Sequence, residues 1–211
     1  DLALSFDAAQ GSGWTGTVTM AGLDRADFTA RTAQLTGAGQ ISRGQGAGRA
    51  EGTLDFTAEG LAATDPALAK ALGTALAGSV SFAWQEGRDG LDLPKLSLTG
   101  ADYGFDGSLS IAGLATGLTV TGQGEARLDD LSRIADLAGQ PLAGRAVAQL
   151  SGEGALLAGS FDVTGRVQGT DLRAGIAEVD NLLSGASTID LSLQRDETGT
   201  LLRQLDVVAN S

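Results

Sequence analysis

Apolar and polar residues alternate with a period of two along most of this chain, which is the spacing of side chains on one face of a β-strand. In the stretch GSVSFAWQ at 78–85, single small residues separate Val80, Phe82 and Trp84. Runs of this kind follow one another closely, so we expect antiparallel hairpins rather than βαβ units. The predicted turns are QGSG (10–13), RGQGAG (43–48), EGRDG (86–90) and RDETG (195–199).

Three short stretches break this period and predict amphipathic helices. The first, at 65–76, has leucines four residues apart, with Asp65 as the N-cap and Pro66 at the first helical position. The second and third, at 129–138 and 176–183, also carry apolar residues at helical spacing. We expect these helices to cover the sheet by packing on it. The alternative is that they line or plug an apolar trough.

The composition excludes several classes of site. The 211 residues include 32 Gly but no Cys and no His, so the chain can form no disulfide, no ordinary zinc site and no Ser-His or Cys-His pair. A formal net charge of -12 opposes binding to nucleic acid. Acidic pairs such as Asp129 and Asp130 are typical of helix caps and turns. We therefore predict no enzyme activity, no cofactor and no metal site.

An internal repeat relates two parts of the chain. Residues 78–98 lie over residues 187–207 without a gap, and the alternating apolar positions coincide. In both copies the apolar parity changes within the second strand, near Pro94 and near Arg203. A change of parity without a turn signal predicts a β-bulge.

The pattern also predicts how the chain is organised. No run approaches the roughly 18 apolar residues of a spanning helix, and residues 1–20 lack the pattern of a signal peptide. The chain opens on a strand pattern and stops soon after another, so we expect one internal segment of a longer repeating protein, with any membrane anchor outside it. Its expected sub-units are 1–64, 65–128, 129–175 and 176–211.

Several segments resemble one known family. DPALAKALG is followed by LAGSVSF and by GLDLPKLSLTG, and later come LDDLSRIADLAGQPLAGRAVAQLSGEG and TIDLSLQRDETGTLL. In order and texture these segments resemble the long periplasmic region of the TamB (translocation and assembly module) family. The resemblance covers residues 60–207, while the first 60 residues fit only as Gly-rich strands. The family has no catalytic signature.

The resemblance implies a fold, a function and a location. The fold would be mainly β, an elongated twisted antiparallel sheet curled into a U-shaped groove (β-taco, or repeating β-groove) with about three short helices, as in AsmA-like proteins. The groove would shield phospholipid acyl chains during transport between membranes and support outer-membrane protein assembly. The protein would lie in the periplasm of a Gram-negative bacterium, anchored in the inner membrane. A TamA-like outer-membrane partner would bind through regions outside this chain.

The alternating strand residues are the candidates for lining such a groove. Alternation identifies a face without saying whether it is concave, and the same pattern fits the closed core of a β-sandwich. A non-lipid structural or adhesin-like binding module is the alternative function. The candidates are Phe56, Val80, Phe82, Trp84, Leu91, Leu93, Phe105, Leu109, Ile111, Leu118, Val120, Phe161, Val163, Ile189, Leu191 and Leu193.

Overall fold

The structure of the chain, a computed structural model, describes residues 2–7, 12–43, 46–114 and 117–210. The predicted fold class is confirmed, because the chain is mainly β and its strands form one open antiparallel sheet accompanied by short helices. The strands are β1 (Leu2–Asp7), β2 (Gly13–Asp24), β3 (Phe28–Ser42), β4 (Arg49–Glu59), β5 (Ala62–Ala63), β6 (Ala75–Gln85), β7 (Gly90–Thr99), β8 (Tyr103–Ala112), β9 (Thr119–Leu128), β10 (Ala143–Ala155), β11 (Ser160–Arg173), β12 (Ala186–Asp196) and β13 (Gly199–Asn210).

Each strand pairs with its neighbours in sequence. The order runs from β1 to β13, with β4 next to β6 and the short β5 attached to β3. Every pairing is antiparallel, as expected when short connections join consecutive strands. Because all strands in the described ranges belong to this sheet, they include no second sheet that could close a sandwich over it.

The first helix, α1 (Pro66–Leu72), begins as predicted. The Asp65 carboxylate accepts hydrogen bonds from the backbone N–H groups of Ala67 (2.8 Å) and Leu68 (3.0 Å). The helix ends earlier than the predicted residue 76, because Gly73 takes a φ of 72° and β6 begins at Ala75. Glycine adopts this left-handed backbone without steric cost.

The other two helical segments are also shorter than predicted. Residues 131–138 form a 3₁₀ turn (Leu131–Ile134) that continues into α2 (Ala135–Ala138), and Asp130 rather than Asp129 provides the cap by accepting from the N–H of Ser132 at 2.9 Å. The third helix, α3 (Ala177–Leu182), has no side-chain cap. Short helices of this kind depend on tertiary packing.

The two ends of the strands carry different connections. The helices join β4 to β6, β9 to β10 and β11 to β12, so all three lie at one edge, which we call the helical edge. At the opposite edge, the hairpin edge, tight turns link β6 to β7 and β12 to β13, as the sequence predicts. The predicted turns at 10–13 and 43–48 include residues outside the described ranges.

A small core lies at the helical edge. Ala146 of β10, Leu172 of β11 and Leu183 after α3 are buried against one another, with Leu131 and Val179 packed on them. The 3₁₀ turn and α3 therefore pack on the sheet, and the predicted covering role is confirmed for these two segments.

Candidate ligand-binding face

The predicted groove residues share one face of the sheet. Residues paired across antiparallel strands point to the same side, so the register carries the assignment from strand to strand. Leu118 is the exception, because it lies in the turn before β9 with a φ of 48°. One unbroken row of partners consists of Leu54, Val80, Leu96, Gly107, Gly124, Leu150, Gly165, Leu191 and Leu205. We call the side that carries this row the apolar face and the other side the polar face.

Two β-bulges keep leucines on the apolar face. Leu93 pairs with Leu109, whereas Leu96 pairs with Gly107, so two residues of β7 lie opposite one residue of β8. Pro94 is one of these two residues, and its missing N–H fits a bulge. The predicted bulge is therefore confirmed.

The second copy of the repeat has a β-bulge at the corresponding place. Ser192 pairs with Gln204 and Leu193 with Leu202, so Arg203 is the additional residue. This bulge was also predicted from the change of parity, and it returns Leu205 to the apolar face.

Glycines form the floor of a hollow on the apolar face. Trp14, Gly39, Gly52 and Phe82 are consecutive partners on β2, β3, β4 and β6. The rings of Trp14 and Phe82 stack with their centroids 6.2 Å apart, although two strands separate their backbones. A Cβ atom on Gly39 would lie 2.1 Å from the carbonyl oxygen of Glu51 and 2.7 Å from the Trp14 indole nitrogen. The aromatic rings therefore occupy space that only glycine leaves free.

Away from the core at the helical edge, the apolar face is open to solvent. The buried apolar residues of the described chain are Ala30, Ala146, Leu172 and Leu183, and only the last three pack together as a core. The accessible surface is 12952 Å², whereas a compact monomer of this mass would expose about 9,100 Å². Most side chains of the face are half-buried by their neighbours alone.

Charge is segregated between the two faces. From β4 to β13, none of the ladder-paired residues on the apolar face is Asp or Glu, although the chain has 26 acidic residues. Arg195 is the single charged residue among them. An uninterrupted apolar surface of this extent is typical of a binding surface.

Known proteins offer no assignment. Comparison with family models, curated proteins and solved structures finds no match to this chain. None of the helices in the described ranges is long and apolar enough to cross a membrane. No group of three or more Asp or Glu side chains in those ranges could hold a metal ion.

Paired side chains cover the polar face. Arg166 donates to Asp190 at 2.7 Å and 3.1 Å, and Arg203 donates to Asp162 across β12. The hydrogen bonds from Arg166 lower the pKa of the Asp190 carboxyl, and the same contact raises the pKa of Arg166. These charged cross-strand pairs stabilise the register of the strands, and they lie on the solvent-exposed polar face.

Both faces of the sheet carry depressions. A depression of about 900 Å³ on the polar side is lined by residues such as Asp106, Gln149 and Thr164. A cleft of about 340 Å³ on the apolar side is lined almost entirely by apolar residues, among them Phe105 and Phe161. Of these two hollows, the larger one is therefore on the polar side.

A cluster around Arg133 fixes the helices at the helical edge. The Arg133 guanidinium donates to the carbonyl of Lys70 at 2.7 Å, pairs with Asp102 and lies 5.5 Å from the Tyr103 ring centre. The Tyr103 hydroxyl donates to the carbonyl of Leu72 at 2.9 Å, and burial raises the pKa of this tyrosine. We call these contacts the Arg133 clamp, since they hold the end of α1 against the 3₁₀ turn.

Some members of the face were not among the predicted residues. Leu96 and Leu205 belong to it, and their signal was the leucine pattern continued across each bulge. Trp14 follows the Gly-rich turn, and Leu150 stands alone among the small residues of β10, so alternation does not mark either of them clearly. Only the register with neighbouring strands reveals their position.

Proposed function

We propose that this chain is a segment of a TamB-like envelope protein whose apolar face shields phospholipid acyl chains from water. In this proposal the segment lies in the periplasm, supports lipid movement between the membranes and contributes to outer-membrane protein assembly. A TamA-like partner and a membrane anchor belong to other parts of the protein. The observation that carries the proposal is the open, almost uncharged apolar face that continues from β4 to β13.

The continuity of the face supports a long hydrocarbon ligand. Its register row crosses nine strands from Leu54 to Leu205, and three of its nine positions are glycine while the other six are leucine or valine. Hydrocarbon contributes roughly 0.8 kcal/mol per CH₂ group removed from water, so a chain of about sixteen carbons gains on the order of 10 kcal/mol. Binding of this kind requires no specific polar contact.

The uniform lining also supports movement of the ligand. A few strong polar contacts would hold a lipid at one place, whereas apolar contacts of similar strength let it shift along the sheet. Headgroups would remain in water, and direction would come from elsewhere in the protein. The segregation of acidic residues to the polar face keeps carboxylates away from the acyl chains.

Native mass spectrometry of the chain expressed into a periplasm, with lipid extraction, tests the proposal. We expect phospholipid to co-purify with the wild type and to be lost from a Phe82→Arg, Leu191→Arg double variant, because two charges would interrupt the face. A Thr57→Arg, Gln168→Arg variant adds the same charges to exposed positions of the polar face and should retain lipid. Circular dichroism establishes that all three proteins are folded.

A lipid-free wild type would overturn the proposal and favour the alternative, a structural or binding module that carries no lipid. Equal loss of lipid from both double variants would also count against it, because the effect would then follow from added charge rather than from the apolar face.

A further inference from the structure

Arg195 occupies an unusual position for a charged residue. It pairs with Phe161 on β11 and Thr200 on β13, so its side chain belongs to the apolar face near the hairpin edge. Leu193 precedes it on the same face, two residues along β12. No other charged residue is ladder-paired on this face from β4 to β13. A cation therefore stands alone at the border of an apolar surface.

The carboxylates nearest in the register are engaged elsewhere. Asp196 accepts a hydrogen bond from the N–H of Thr198 at 2.8 Å, and Asp162 pairs with Arg203 on the polar face. Arg195 makes no ion pair or hydrogen bond with any of the described residues. Its exposed guanidinium keeps its donors available to a ligand.

The apolar cleft reaches β11, the strand next to Arg195. The cleft of about 340 Å³ is lined by Phe105, Leu109, Val120, Leu150 and Phe161, and it also includes Leu156 in the turn at the hairpin edge. Phe161 thus borders the cleft and is the cross-strand partner of Arg195. A hydrocarbon chain that lies in the cleft can extend to Phe161 near the hairpin edge, next to the one charged residue that is ladder-paired on this face from β4 to β13.

We propose that Arg195 binds the anionic phosphate of an amphiphile whose hydrocarbon chain lies in the apolar cleft. The inference rests on the proposed function and adds to it a headgroup class and an orientation. A guanidinium presents its N–H donors in a planar fork that matches two phosphate oxygens. The aliphatic part of the arginine lies along the apolar face, and its charged end stays in water.

The net charge of -12 does not prevent this contact. The ladder-paired acidic residues of β10 to β13 belong to the polar face by register, among them Glu153 and Asp162. Charges separated by more than about 8 Å are largely screened at physiological salt. Among the ladder-paired residues of the apolar face from β4 to β13, Arg195 is the one that carries a charge.

Displacement of an uncharged dye tests the inference on the full 211-residue chain. N-phenyl-1-naphthylamine is bound first, then displaced by palmitoyl-lysophosphatidic acid or by monopalmitoylglycerol, which share the acylglycerol and differ in the phosphate. We expect Arg195→Ala to lower the affinity for the phosphate-bearing lipid roughly fivefold and to leave the affinity for the neutral lipid unchanged. Arg195→Lys should recover part of the loss, because it keeps the charge without the fork. Arg49→Ala removes an exposed arginine of the polar face near the same edge and should change neither affinity.

The other outcomes distinguish failure of the headgroup site from failure of the proposed function. The headgroup site is wrong if Arg195→Ala lowers the affinity for both lipids equally, or for neither. It is also wrong if Arg49→Ala has the same effect as Arg195→Ala. In these cases the proposed binding of the acyl chain is not affected. If inorganic phosphate alone binds at Arg195, monitored by its guanidinium resonance in NMR, the site is one for free phosphate. If the wild type binds neither lipid, the proposed function itself fails.

Discussion

At single positions, glycine shapes the apolar face as much as the large side chains do. Gly39 and Gly52 lie between Trp14 and Phe82 in one register row, and the two rings meet above them. Gly78 has the same relation to Phe56, whose ring would contact an added Cβ at 2.4 Å. Glycine is thus needed within the strands, where it permits close side-chain contact, as well as in turns.

Substitution of Gly39 by alanine tests this role. The added Cβ would lie 2.1 Å from the Glu51 carbonyl oxygen, so we expect a loss of about 1–3 kcal/mol in the free energy of unfolding. Urea unfolding followed by circular dichroism measures it. Gly46→Ala is the matched control, because nothing lies within 4 Å of the added atom, and it should change stability by less than about 0.5 kcal/mol. Equal stability of the two variants would contradict the proposed role of Gly39.

At the level of elements, the sequence predicted whether a segment is a helix or a strand better than it predicted where the segment ends. The Asp65 cap and Pro66 marked the start of α1 correctly, since those signals act locally. Its end was wrong by four residues, because Gly73 and the pairing of β6 override the leucine spacing that continues to Leu76. The bulges were predictable, because a shift of parity is visible in one strand alone.

The Arg133 clamp could not be predicted from the sequence, because it joins residues of three separate elements. We expect Arg133→Met to free α1 and residues 131–138 while the strands stay paired, because the hydrogen bonds from Arg133 to α1 carbonyls and its ion pair with Asp102 are lost together. Hydrogen exchange resolved by peptide should show faster exchange in those two segments. Lys70→Met removes only the exposed pair with Asp136 and should cost less than about 1 kcal/mol. Faster exchange throughout the sheet would mean that the clamp supports the whole fold instead.

At the level of the molecule, the sheet is a linear array in which each strand contacts mainly its immediate neighbours. Stability in such arrays is approximately a sum of terms for neighbouring units, and the ends open more easily than the middle. We therefore expect amide exchange to be slowest in β8 to β10 and to become faster towards β1 and β13. Exchange measured by NMR or mass spectrometry gives the gradient. Uniform protection of all strands would indicate one cooperative unit.

The shared face was predictable from alternation, whereas the shape of that face was not. Phe82 and Leu191 lie in different hairpins and could be assigned to one side only because the parity of each strand was visible and the register then joined them. The shapes of the hollows depend on the twist of the whole sheet, which the sequence of one strand does not determine. The position of Arg195 likewise became meaningful only after its partner Phe161 was known.

The bulges at Pro94 and Arg203 also affect how sequences of this kind can diverge. One inserted residue would normally turn every later side chain of a strand to the opposite side, and selection would remove it. A bulge absorbs the insertion locally, so strands can change length by one residue while the surface they build is preserved. Related chains aligned by their alternation would therefore lose phase at each such point, even where their three-dimensional surfaces remain equivalent.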